Sequence, residues 1–81
     1  MKLFYQPKFK EELRKFPKEI RQKFYKQAGF LLKNINHPSL RSKKYNQTAD
    51  IWQVRVNKRI RFYFIIQKDV YIFIHIKKHS D

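Results

Sequence analysis

Residues 51–79 run Ile51-Trp52-Gln53-Val54-Arg55-Val56-Asn57, Lys58-Arg59, Ile60-Arg61-Phe62-Tyr63-Phe64-Ile65-Ile66, Gln67-Lys68-Asp69, then Val70-Tyr71-Ile72-Phe73-Ile74-His75-Ile76-Lys77-Lys78-His79. β-Branched and aromatic residues fill each run, and short polar breaks separate them, which is the pattern of three β-strands joined by two tight turns. Side chains on a strand alternate between faces. Strict alternation puts Trp52, Val54, Val56, Ile60, Phe62, Phe64, Ile66, Val70, Ile72, Ile74 and Ile76 on one apolar face. The other face then carries Gln53, Arg55, Arg61, Tyr63, Ile65, Tyr71, Phe73, His75 and Lys77. The first face must be covered, and the second, with its cations and aromatics, is where function is sought.

The cover comes from the chain before residue 51. Met1 to Tyr5 reads as a short strand added to the sheet. Pro7 suits the first turn of a helix, and Phe9, Leu13 and Phe16 follow at helical spacing. Pro17 ends that helix and opens a second, whose stripe is Ile20, Phe24, Ala28, Leu31 and Ile35. Gly29, the only glycine, falls inside this helix and is read as a close-packing point. Asn34 to Pro38 ends the helix. Ser39 to Asp50 has no clear period; it holds the basic cluster Arg41, Lys43 and Lys44, a short stretch from Lys43 to Tyr45 that pairs with the sheet, and the polar loop Asn46–Asp50. The expected fold is α+β in the order β-α-α-β-β-β, with a two-helix hairpin on one face of an antiparallel sheet. Phe9, Leu13, Phe24, Leu31, Phe62, Phe64, Ile72 and Ile74 are expected to share one core.

The chain has 81 residues, enough for one domain spanning 1–81, and a chain of this size buries roughly 60–65% of its unfolded surface. Without cysteine it has neither disulfides nor thiolate metal ligands. The absence of cysteine fits a reducing compartment. No signal-peptide pattern opens the chain, and no apolar run approaches the ~20 residues of a membrane span. A cytoplasmic location without membrane attachment is expected.

Charge dominates the composition: 20 Lys and Arg against 6 Asp and Glu, a formal +14. That far exceeds the net charge of about 2–8 that keeps a small domain soluble. Nucleic acid, an acidic protein and an anionic membrane surface would all be attracted. Aromatics interleaved with the cations favour nucleic acid.

No carboxylate lies on the polar sheet face, and there is no glycine-rich phosphate loop. Ser39, Ser42 and Ser80 read as ordinary loop or terminal serines. His75 and His79 are four apart on a strand, so more than ~10 Å separates them, and no metal or other cofactor is expected. What remains suits metal-free work on RNA, whose 2′-hydroxyl is its own nucleophile. Histidine handles protons near neutrality. Arginine's fork suits a phosphate whose charge grows in the transition state. Arg55 and Arg61 share a face on adjoining strands and His79 follows the third, while Tyr63, Tyr71 and Phe73 are positioned to stack bases. A non-enzymatic RNA-binding domain has the same composition.

The ordered strings His37-Pro38-Ser39-Leu40-Arg41, Lys43-Lys44, Ile51-Trp52-Gln53-Val54-Arg55-Val56, Arg61 and Lys78-His79 resemble the RelE/ParE superfamily of bacterial toxin–antitoxin toxins, over almost the whole chain. The resemblance implies a ribosome-dependent messenger-RNA endonuclease that works in the ribosomal A site and is neutralised by an acidic cognate antitoxin. It implies His79, Arg61 and Arg55 as catalytic residues. Contacts to RNA or ribosome would come from Arg41, Lys43, Lys44, Gln53, Tyr63, Lys77 and Lys78. Gln53 stands where the best-known ribonuclease members have lysine, and the sequence stops at Asp81, before or without the C-terminal tyrosine of many active relatives. Both departures bear on cleavage rather than on fold or antitoxin binding. The superfamily also contains gyrase-poisoning members, which lack the ribonuclease residues.

Overall fold

The computed structural model describes residues 1–46 and 48–79. Gln47 of the polar loop, and Ser80 and Asp81 at the end, lie outside the described residues. The elements are β1 (Lys2–Tyr5), α1 (Pro7–Arg14), α2 (Lys18–Lys33), a short 3₁₀ helix (Pro38–Leu40), β2 (Lys43–Asn46), β3 (Ile51–Arg55), β4 (Ile60–Gln67) and β5 (Val70–Lys78). Pro7 opens α1 where a missing N–H costs nothing, and Pro17 caps α2. Asn34 leaves α2 in extended geometry, and its side chain accepts the Asn36 N–H at 2.9 Å. No helix among the described residues is long and apolar enough to cross a membrane.

The strands form one sheet in the order β1-β5-β4-β3-β2. β2 through β5 are antiparallel neighbours, as alternation and tight turns dictate. β1 pairs parallel to β5, so the sheet is mixed. The meander ends beside the strand that begins the chain, and the helix pair is the crossover between them. Both helices cover one sheet face. Phe24 sits at the centre of the core, with ring centroids 5.3 Å from Phe9, 5.0 Å from Phe62 and 5.7 Å from Phe73.

Six of the eight expected core residues, Phe9, Leu13, Phe24, Leu31, Phe62 and Phe64, are buried together. Ile72 and Ile74 are not in that core; Tyr71 and Phe73 replace them. The cause is a β-bulge. Tyr63 lies opposite His75 but Phe64 opposite Phe73, which leaves Ile74 outside the ladder. One extra residue reverses the alternation of everything before it on the strand. Tyr71 and Phe73 therefore face the helices and are closed to bases. Ile72 joins Phe4 and Ile65 on the uncovered face, and Ile66, also expected to be covered, is left 38% exposed.

The bulge falls where β1 stops. Its last pair is Tyr5 with Phe73, and beyond that point α1 takes over the edge of β5. Glu12 Oε1 accepts the Ile76 N–H at 3.3 Å and lies 3.4 Å from His75 Nδ1. Gly29 is also unlike the expectation. It is exposed, and a Cβ added there would meet nothing within 4 Å, so it is not a packing point.

Candidate functional site

The sheet face turned away from the helices is built in cross-strand rows. Lys43, Gln53, Tyr63 and His75 form one row; Arg55, Arg61 and Lys77 form the next. Where the rows meet the 3₁₀ turn, Arg41, Lys43, Gln53, Arg55 and Arg61 line a cleft of about 270 Å³. Four cations and one amide surround it, with no carboxylate in the lining. Such a surface attracts an anion, and the low-dielectric wall strengthens that attraction.

Arg61 is the most deeply set cation, only 9% exposed. Its Nη1 donates to the carbonyls of Asn57 and, at 3.3 Å, Ile60. Asn57 in turn fixes the β3–β4 turn, because its Oδ1 accepts the N–H groups of Arg59 and Ile60, both at 2.8 Å. The guanidinium is thus oriented by backbone oxygens and has no ion-pair partner among the described residues. Arg55 sits beside it. Burial, then the charges of Arg41 and Arg61, lower the Arg55 guanidinium below its ordinary range. A bound anion would relieve that repulsion.

Arg41 enters the cleft from a left-handed backbone, φ 48° and ψ 46°. A non-glycine residue there costs of order 1–3 kcal/mol, and its neighbours hold it. Leu40 is fully buried, and Ser42 Oγ donates to the Ile35 carbonyl at 2.9 Å. Gln27, buried on α2, ties the same region to the sheet. Its Nε2 donates to the carbonyls of Ser39 at 3.0 Å and Arg55 at 2.8 Å, and its Oε1 accepts from Ser39 Oγ at 3.2 Å. His37 is structural: it stacks on Phe30 at 4.0 Å and accepts the Ser39 N–H at 3.2 Å.

Beside the cleft, Tyr63 carries Lys77 Nζ at 5.4 Å over its ring and the exposed Tyr45 edge-on at 5.1 Å. Burial, then Tyr45, raise the Tyr63 phenol above its ordinary value of 10.0, with Arg61 opposing. Lys44 is turned the other way. It lies opposite Trp52, with its Nζ 5.8 Å over that ring and 3.1 Å from Asp50 Oδ1. Lys78 shares the row of the core residue Ile60, also away from the cleft. His79 is exposed and does not line the cleft. Its backbone N–H donates to the Arg59 carbonyl at 2.6 Å, which places it beside the β3–β4 turn.

Five of the ten expected site residues therefore converge, Tyr63 and Lys77 flank them, and Lys44, Lys78 and His79 do not line the cleft. Sequence reasoning missed Tyr45 and Gln27. Tyr45 lies in the register shift between Lys44 and Asn46, which hides its face. Gln27 sits between the stripe residues Phe24, Ala28 and Leu31, and that position was the one available signal. Among the described residues, no three His, Asp or Glu side chains gather where they could hold a metal ion.

Neither a family model nor a curated protein matches the chain. Solved structures do. The YoeB dimer from Staphylococcus aureus superposes with a TM-score of 0.82 at 14% identity, covering 99% of this chain and 98% of that one. A YoeB/ParE toxin from Agrobacterium tumefaciens gives 0.80 at 12%, covering 99% and 100%. An archaeal RelE–RelB complex from Pyrococcus horikoshii gives 0.78 at 15%, covering 95% and 92%. The fold is the one those toxins share, as the ordered strings in the sequence led us to expect.

Proposed function

We propose that this chain, built on the fold of the RelE and YoeB toxins, is the toxin of a toxin–antitoxin pair and cleaves messenger RNA in the ribosomal A site. The observation that carries the reading is the cleft of Arg41, Lys43, Gln53, Arg55 and Arg61, which gathers four cations with no carboxylate in its lining. In this reading the RNA 2′-oxygen attacks phosphorus, the new O2′–P bond forms and the P–O5′ bond breaks. Arg61 and Arg55 stabilise the charge that grows on the phosphate oxygens. His79 transfers a proton, either from the 2′-hydroxyl or to the departing 5′-oxygen. Lys43 and Arg41 attach the strand, and Tyr63 with Lys77 extends the surface along it. An acidic antitoxin that covers the cleft would silence it; the archaeal RelE was solved in complex with RelB.

The test is cleavage of messenger RNA on programmed ribosomes, with the ends mapped. Wild type is expected to leave a 2′,3′-cyclic phosphate and a 5′-hydroxyl. His79→Ala should lower the rate by about 10²–10⁴ and remove one limb of the pH–rate profile. Arg61→Ala should cost about 10²–10³ and leave that limb in place. Full activity in His79→Ala would sink the assignment of that residue.

One observation favours a second reading, a toxin fold that binds RNA without cutting it: no histidine lines the cleft. Ribosome binding without new RNA ends, in wild type, would establish it.

A further inference from the structure

A second cleft, of about 390 Å³, opens on the opposite side of the molecule between the two helices. Lys10, Leu13 and Arg14 of α1, Arg21 and Tyr25 of α2, and Tyr5 of β1 line it. Lys10 and Arg14 are one helical turn apart, and so are Arg21 and Tyr25, so each helix presents one ridge to the gap. The floor is rigid. The Tyr5 ring packs edge-on against Phe9 at 5.8 Å, Phe24 at 6.1 Å and Phe73 at 5.2 Å. Tyr25 stands on the rim, 55% exposed, braced on Phe24 at 5.3 Å.

The three cations have no carboxylate among the lining residues and no ion pair among the described residues. Arg21 is already oriented, since Nη1 donates to the Phe16 carbonyl at 2.7 Å and leaves its other N–H groups for a ligand. Two guanidinium forks and an ammonium from facing helices suit a phosphate. Two phenol rings beside them suit a flat aromatic ring. The volume is within the usual range for a small-ligand pocket. An acidic peptide could use the cations, but it has no general need of paired aromatic rings.

We infer that the cleft between α1 and α2 binds a nucleotide, with its base against Tyr25 and Tyr5 and its phosphate among Lys10, Arg14 and Arg21. The site is separate from the sheet cleft and does not depend on the reading given to it. The nucleotide is either free or part of an RNA strand; the chemistry is the same.

Amide signals of the full-length chain followed by NMR during titration test this. Adenosine 5′-monophosphate should shift residues 10–14 and 21–25. Adenosine and inorganic phosphate, each lacking half of the ligand, should bind about tenfold more weakly. Arg14→Glu and Tyr25→Ser, both at exposed helix positions, should each weaken binding by about tenfold. An octa-adenylate that shifts the same residues at least tenfold more tightly places the nucleotide in a strand, whereas equal affinity makes the free nucleotide the ligand. Equal affinity for adenosine 5′-monophosphate and inorganic phosphate, or shifts confined to the Arg61 cleft, would overturn the inference. Shifts of the helix residues by poly-glutamate but not by the nucleotide would overturn it too, and would assign the cleft to an acidic protein.

Discussion

Gln27 does more for the sheet cleft than its place on a helix suggests. It satisfies the Arg55 and Ser39 carbonyls and takes the Ser39 hydroxyl, so one amide joins α2, β3 and the 3₁₀ turn. Those groups sit on both sides of Arg41, whose backbone is strained. Gln27→Ala should leave two carbonyls short of a donor and cost roughly 2–4 kcal/mol in a denaturant titration. The same variant should weaken anion binding at the cleft although Gln27 does not line it. A stability loss without any change in binding would make Gln27 a structural residue only. Arg61 shows the same economy at one position, since backbone oxygens orient its guanidinium and leave its charge uncancelled.

Among the elements, β5 decides most. Its bulge puts Phe73 in the core and Ile72 on the uncovered face, opposite to the order that alternation predicts. Phe73→Ala should therefore cost about 3–5 kcal/mol. Ile72→Ala, opposite the exposed Phe4, should cost under about 1.5 kcal/mol. Equal losses on denaturation would mean that the strand has no bulge. In α2, Gly29 has a negative φ and open space where a side chain would start. Gly29→Ala should raise stability by about 1 kcal/mol, because alanine restricts the unfolded chain and favours the helix. A fall in stability would show that the glycine serves a close contact after all.

At the scale of the molecule, a +14 chain places its cations on both sides of a thin core. One cleft lies on the open sheet face and the other between the helices, so the fold separates two anion-attracting surfaces by a layer of aromatic rings. The phenols Tyr5, Tyr63 and Tyr71 are all raised above 10.0, burial being the largest cause in each case. The folded chain thus holds these protons more tightly than the unfolded one. This contribution to stability is complete below the ordinary tyrosine value and is lost as pH rises through the folded values. Denaturation midpoints should fall steadily above about pH 10, more steeply than in Tyr63→Phe. A flat profile across that range would contradict the burial of the phenols.

The sequence by itself determined β1, the two-helix cover and the three-strand meander in their order, with β2 legible only as a short stretch that pairs with the sheet. Apolar spacing marks the helix stripes and the core faces of β3 and β4, and the row of Arg55 with Arg61 follows from a short turn and strand alternation. It could not reveal the bulge. Val70 to Ile76 is apolar or aromatic at nearly every position, so either register buries hydrophobic side chains and no polar residue marks the slip. Nor could it tell Lys43 from Lys44, which differ by one step of the same alternation and point to opposite faces. Only the tertiary structure settles such choices, because pairing partners far along the chain, rather than local preference, decide which side of a strand meets the helices.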